Sequence, residues 1–147
     1  MARIAFILLC HKDPAGIIAQ AERLTAAGDY VTIHFDGRAS QSDYDQIRQA
    51  LVANTSVAFA GRRLKCGWGE WSLVAATLDA VRVAVASFPR ASHFYMLSGD
   101  CMPIKSAEYA HAFLDAQDCD YIENFDFFDS DWIKTGFKEE RLIYRHW

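Results

Sequence analysis

The sequence has none of the usual glycine-rich phosphate loops. There is no GxGxxG after the first strand-like run and no GxxxxGK[ST], which disfavours a dinucleotide-binding dehydrogenase and a P-loop NTPase. A GxSxG elbow is also missing, which speaks against an α/β-hydrolase. The four cysteines, Cys10, Cys66, Cys101 and Cys119, have no CxxC spacing, so neither a zinc site nor a disulfide framework is indicated. Free thiols in a reducing compartment fit that pattern. The five histidines show no metal-ligand spacing. Positive charge is not in excess. A net charge of -4 and a pI near 5.7 argue against a nucleic-acid partner, which needs a basic face to release counterions, but leave room for a local basic pocket. No stretch approaches the roughly 18 apolar residues of a membrane span. The opening MARIAFILLCHKD lacks a small-residue cleavage site and ends in charge, unlike a signal peptide. A cytoplasmic location is the expectation. Internal repeats and low-complexity linkers are absent too.

What is present is an alternation. Ile4 to Leu9 is a continuous apolar run, as expected of a central strand buried on both faces. Pro14 starts a helix carrying Ile17, Ile18, Ala21, Leu24 and Thr25 at helical spacing, with Gly28 as its C-terminal cap. Tyr30 to Phe35 predicts a second strand. Ser42 is expected to cap a helix over Tyr44 to Ala53, and Val57 to Phe59 predicts a short third strand. Ser72 opens a long helix to about Ser87 with Leu73, Ala76, Leu78, Val81 and Val85 as its apolar positions. The run HFYML, residues 93–97, has the composition of a buried strand. Ser106 caps a helix over Ala107 to Gln117, and Asp120 to Glu123 reads as a further strand. This order predicts one domain with an α/β layered fold and a mostly parallel sheet.

In such sheets, ligands bind beyond the carboxyl ends of the strands. Those ends carry His11-Lys12-Asp13, Asp36-Gly37-Arg38, Gly61-Arg62-Arg63 and Ser98-Gly99-Asp100. Four polar, turn-forming ends on one edge favour a nucleotide or sugar-nucleotide cleft. Asp36 can accept hydrogen bonds from a ribose or a uracil ring, or can simply close a turn on its own backbone. Trp68 and Trp71 can stack on a uracil or sugar ring, or pack at a helix start. Two DxD triplets occur, Asp118-Cys119-Asp120 and Asp129-Ser130-Asp131. Paired carboxylates can hold a divalent metal, but the first precedes a strand and the second lies in an irregular aromatic stretch. Solvated turns are the favoured reading of both, and no metal site is assigned.

Four blocks, taken together, carry a resemblance. They are Tyr30-Val31-Thr32-Ile33-His34-Phe35-Asp36, then Val57-Ala58-Phe59-Ala60-Gly61-Arg62-Arg63, then Trp68-Gly69-Glu70-Trp71-Ser72-Leu73-Val74, then Leu97-Ser98-Gly99-Asp100-Cys101-Met102-Pro103-Ile104-Lys105-Ser106. In order and spacing, over about residues 4 to 114, the chain resembles the core-2/I-branching β-1,6-N-acetylglucosaminyltransferase and peptide O-xylosyltransferase family. The resemblance implies a glycosyltransferase-A-like (Rossmann-like) three-layer sandwich. It implies inverting transfer of a sugar, N-acetylglucosamine or xylose, from a UDP-sugar to a glycan or other hydroxyl acceptor. No cofactor or metal is implied, because basic side chains take the metal's place. The resemblance puts Asp36 against the donor's uridine and His11 in the same pocket. Arg62, Trp68, Ser98, Gly99 and Asp100 complete the expected donor-binding set. The Lys138-Glu139-Glu140-Arg141 stretch resembles one whose lysine and arginine, here Lys138 and Arg141, help bind the acceptor sugar.

Two departures stand out. The family places an acid immediately after S-G-x, where this chain has Cys101 and carries its acid at Asp100 instead. The family's catalytic base, a glutamate in a P-D-E-like motif, and its diphosphate-holding cations lie further along than residue 147. An inverting transfer needs a carboxylate to take the acceptor's proton and cations to stabilise departing UDP. Residues 1–147 are therefore expected to be the N-terminal, donor-binding part of an enzyme, inactive alone and partnered by a missing C-terminal part. Two alternatives stand beside this reading: a binding module that keeps the fold without the chemistry, and a metal-dependent transferase using Asp129 and Asp131.

Overall fold

A computed structural model describes residues 2–117 together with Cys119 and Tyr121. The elements alternate as β1 (Ile4–Cys10), α1 (Pro14–Ala26), β2 (Tyr30–Phe35), α2 (Gln41–Leu51), β3 (Val57–Phe59), α3 (Trp71–Ser87), β4 (His93–Ser98) and α4 (Ala107–Asp115). The four strands form one all-parallel sheet in the order β3-β2-β1-β4. This is an α/β fold with helices on both faces, consistent with a glycosyltransferase-A-like sandwich. The expected strand at 120–123 lies outside the described residues.

Strand periodicity divides the core. On one face, Ile4, Phe6, Leu8 and Cys10 of β1 meet Val31, Ile33 and Phe35 of β2, under Ile17, Ala21 and Leu24 of α1 and Ile47 and Leu51 of α2. Ala110 and Leu114 of α4 join the same cluster. On the other face, Ala5 and Ile7 meet Ala80, Ala84 and Phe88. β1 is thus buried on both sides, as its unbroken apolar run predicts.

Local signals explain the helix ends. Asp13 adopts φ 53° and accepts the Gly16 N–H at 3.0 Å, capping α1 just before Pro14. Gly28, at φ +84°, follows the helix in the left-handed region that glycine tolerates. Ser106 caps α4 as expected, its hydroxyl accepting the Tyr109 N–H at 3.2 Å. The helix ends at Asp115 rather than Gln117.

Three expectations are corrected. The cap of α2 is Ser40, not Ser42. Ser40 is extended, its hydroxyl accepts the Asp43 N–H at 3.3 Å, and Ser42 falls inside the first turn. The cap position of α3 is Glu70, which makes no side-chain cap bond; Ser72 instead accepts the Gly67 N–H and donates to Glu70, closing the preceding loop. Within α3, the buried stripe is Ala76, Ala80 and Ala84 with Asp79, while Leu78 and Val85 are exposed. Small side chains at i, i+4 and i+8 let the helix lie close against the sheet.

The HFYML strand is also not the buried strand its composition suggests. β4 pairs only with β1 among the described residues, leaving Phe94, Tyr95 and Met96 exposed and only Leu97 buried. No helix among the described residues is long and apolar enough to cross a membrane.

Candidate functional site

Parallel strands bring the four polar ends to one edge of the sheet, as the sequence predicts. The chain leaves β1 toward β2 on one side, and reaches β4 on the other side only after the α3 crossover. The carboxyl ends of β1 and β4 therefore flank a switch point, where adjacent connections diverge, which is where open α/β sheets bind ligands.

At that point the Ser98-Gly99-Asp100 turn presses on the end of β1. A Cβ at residue 99 would sit 2.8 Å from both Cys10 Cβ and Ile17 Cδ1, so any side chain there would force the turn or its neighbours to shift. The Gly99 N–H donates to the Leu9 carbonyl at 3.1 Å, and Cys101 N–H closes the turn on the Ser98 carbonyl. Gln20, nine-tenths buried on α1, donates its amide to the carbonyls of Ser98 and Cys101. Its own oxygen has no partner among the described residues. The Ser98 hydroxyl meets Cys101 Sγ at 3.1 Å. Above the turn, Lys12 Nζ lies 3.2 Å from Asp100 Oδ2, with both side chains largely exposed. His11, which precedes Lys12 in the chain, is exposed.

The end of β2 is stapled to the loop after β3. Asp36 Oδ1 accepts the Arg38 N–H at 2.6 Å, the turn closure that was one of its two readings. Its Oδ2 also reaches across to the Cys66 N–H at 3.1 Å. The Gly37 N–H donates to the Leu64 carbonyl at 2.9 Å. His34, 2% exposed, accepts the Leu64 N–H on Nε2 at 3.1 Å. Burial holds this imidazole's pKa below its usual value, against the pull of the nearby Asp36 and Asp79 carboxylates. The ring is thus neutral, with its proton on Nδ1. Arg63 completes the staple: its guanidinium donates to the carbonyls of Phe35, Asp36 and Ala39 and to the Gln41 side chain, and lies 4.5 Å from the centre of the Tyr44 ring.

Arg62 turns away to α3. Its backbone N–H and Nε donate to the Asp79 carboxylate at 3.0 and 3.3 Å, leaving the side chain 63% exposed. Trp68 is 97% exposed on the loop that Asp36 anchors, and Trp71 begins α3. Burial raises the Cys10 thiol to about 12, and burial with the Asp36 carboxylate raises Cys66. Both therefore stay protonated at neutral pH and are poor nucleophiles.

The structure thus joins Asp100 to Lys12, sets Ser98 and Gly99 against β1, and ties Asp36 to the loop that bears Trp68. Arg62 is joined to none of them. Lys138, Arg141 and both DxD pairs lie outside the described residues. Among the described residues no three His, Cys, Asp or Glu side chains are grouped to hold a metal. Sequence reading missed Gln20, Asp79 and the supporting role of Arg63. The signal for the first two was a polar residue on the buried face of an otherwise apolar helix.

With this geometry established, a family model described as Core-2/I-Branching enzyme matches residues 4–141. No curated protein matches the chain.

Proposed function

The chain belongs to the Core-2/I-Branching enzyme family, a family of glycosyltransferases, and from that premise we propose that the carboxyl edge of its sheet is the donor half of a UDP-sugar site. The observation that carries this reading is the β1/β4 switch point, with an exposed cation at its mouth. Asp36 keeps unused lone pairs for the uracil or ribose, and His11 borders the same pocket. Lys12, beside Asp100, and Arg62, held on Asp79 with its side chain largely exposed, are the cations we assign to the diphosphate. Lys12 is the better placed, because Asp100 is an exposed partner that a phosphate can replace. Trp68 offers a stacking face to a sugar ring. The sugar is N-acetylglucosamine or xylose, transferred with inversion and without a metal to a hydroxyl acceptor that Lys138 and Arg141 help to hold. The acceptor's proton goes to a carboxylate acting as general base.

Calorimetry with uridine, UDP, UDP-N-acetylglucosamine and UDP-xylose, in magnesium and in chelator, tests this. UDP should bind equally in both media. Asp36→Ala should abolish binding of uridine and UDP alike, and Lys12→Gln should weaken UDP about tenfold while sparing uridine. Binding that requires magnesium refutes the metal-free reading. UDP binding unchanged in both variants refutes the site.

A further inference from the structure

The strands' amino ends, at the opposite edge of the sheet, border an open recess. It is a cavity of about 580 Å³ lined by Arg3, Gly28, Tyr30, Ser56 and Arg90. No carboxylate is among its lining residues. Arg3, Ser56 and Arg90 precede β1, β3 and β4, Gly28 lies in the α1–β2 turn and Tyr30 begins β2, so the parallel topology itself brings them together.

The cavity has a prepared wall. Arg3 Nη1 donates to the Ala27 carbonyl at 3.1 Å, at the C-terminal end of α1. A Cβ on Gly28 would stand 2.3 Å from that same nitrogen. Gly28 is thus fixed by its positive φ and by the guanidinium lying in the space a side chain would fill. Tyr30 is held by stacking on Phe88, with ring centres 4.6 Å apart and planes 13° apart. Helix capping accounts for one nitrogen of Arg3 and leaves its other donors unassigned. Arg90 and the hydroxyls of Tyr30 and Ser56 have no hydrogen-bond partner among the described residues. The Ser56 backbone, by contrast, is committed, its N–H to Asn54 and its carbonyl to Val31.

We propose that this amino-edge cavity, walled by Arg3 and Arg90 with the hydroxyls of Tyr30 and Ser56, binds a phosphorylated small molecule separately from the carboxyl-edge site. The remaining donors of Arg3, the Arg90 guanidinium and two hydroxyls are the donor types that bind a tetrahedral oxyanion, and an arginine already held in place loses little freedom on binding. The recess is larger than a bare phosphate, which leaves room for an organic group beside it.

The test uses the full chain and pyrophosphate as probe, followed through backbone amide shifts at constant ionic strength. Pyrophosphate can also enter the donor cleft, so the two edges are read separately: Gly28, Tyr30 and Ser56 report on this cavity, Gly99 and Asp100 on the other. The amino-edge amides should shift saturably. Arg90→Gln, on an exposed side chain, should weaken that binding about tenfold and leave the response of the Gly99 and Asp100 amides to UDP unchanged. Absence of a saturable shift at those amides overturns the proposal. So does an unchanged affinity in Arg90→Gln, or the same shifts produced by chloride.

Discussion

Replacing Gly99 by alanine tests the tightest contact of the switch point. Gly99 lacks the left-handed φ of Gly28 and Gly69, so alanine meets no backbone strain there. Removing glycine's freedom from the unfolded chain would then stabilise by about 0.4–1 kcal/mol. Opposing this, the new Cβ would lie 2.8 Å from Ile17 Cδ1 and Cys10 Cβ. The Ile17 methyl ends a flexible side chain and can turn aside. Cys10 Cβ belongs to a strand paired on both sides and cannot. A normal carbon–carbon contact of about 3.5–4.0 Å needs the turn to retreat by most of an ångström. Its hydrogen bonds to Leu9 and Gln20 resist that movement. Overpacking of this kind costs about 1–3 kcal/mol. The net expectation is a loss of about 1–2 kcal/mol, or roughly 3–6 °C in Tm for a chain of this length. Urea unfolding of Gly99→Ala, Cys10→Gly and the double variant measures it. If Cys10 is the obstacle, the alanine should cost much less beside Gly at position 10. A stabilised Gly99→Ala, or an equal loss in both backgrounds, would refute the reasoning.

Other outcomes follow from the staple and the thiols. Because burial lowers the folded pKa of His34, the neutral ring's contribution is full above about pH 6.5, its unfolded value, and is lost as pH falls through the folded pKa. Urea midpoints of the native chain should therefore drop between pH 7.5 and 5 more steeply than those of His34→Gln. Arg63→Lys keeps the charge but cannot span three carbonyls and a side-chain amide. It should destabilise by about 2–3 kcal/mol and speed amide exchange at Gly37 and Cys66. In the native chain at pH 8, iodoacetamide should modify exposed Cys101 readily, Cys66 slowly and Cys10 not at all, as read by peptide mass spectrometry.

How much of this was legible depends on the range of the physics. β2 and β3 begin and end where alternating composition and turn residues set them, and α1 runs from Pro14 to the turn that Gly28 closes. Those signals are local. The choice of Ser40 over Ser42 is not, because Arg63, more than twenty residues away, holds Ala39 and Gln41 in place. The exposure of β4 depends on its place in the strand order, which hydrophobicity does not encode. The same holds within the site. The polar strand ends could be read and their shared edge inferred from the α/β pattern. The sequence could not reveal that Asp36 reaches Cys66, that Arg62 belongs to Asp79, or that Gln20 underpins the Ser98 turn, since each partner lies far along the chain.

The strand order also has a consequence for synthesis. β1 gains β2 on one flank soon after it leaves the ribosome, and β3 extends that side. Its other flank must wait until β4 has been made. At roughly 5–20 residues per second, that wait lasts some seconds. Throughout it, β1 presents an open row of peptide groups bordered by Ala5, Ile7 and Leu9, in a chain whose loop closure with β4 is slow for entropic reasons. The nascent chain is most vulnerable to mispairing in that interval, and a holdase that masks β1 would act there.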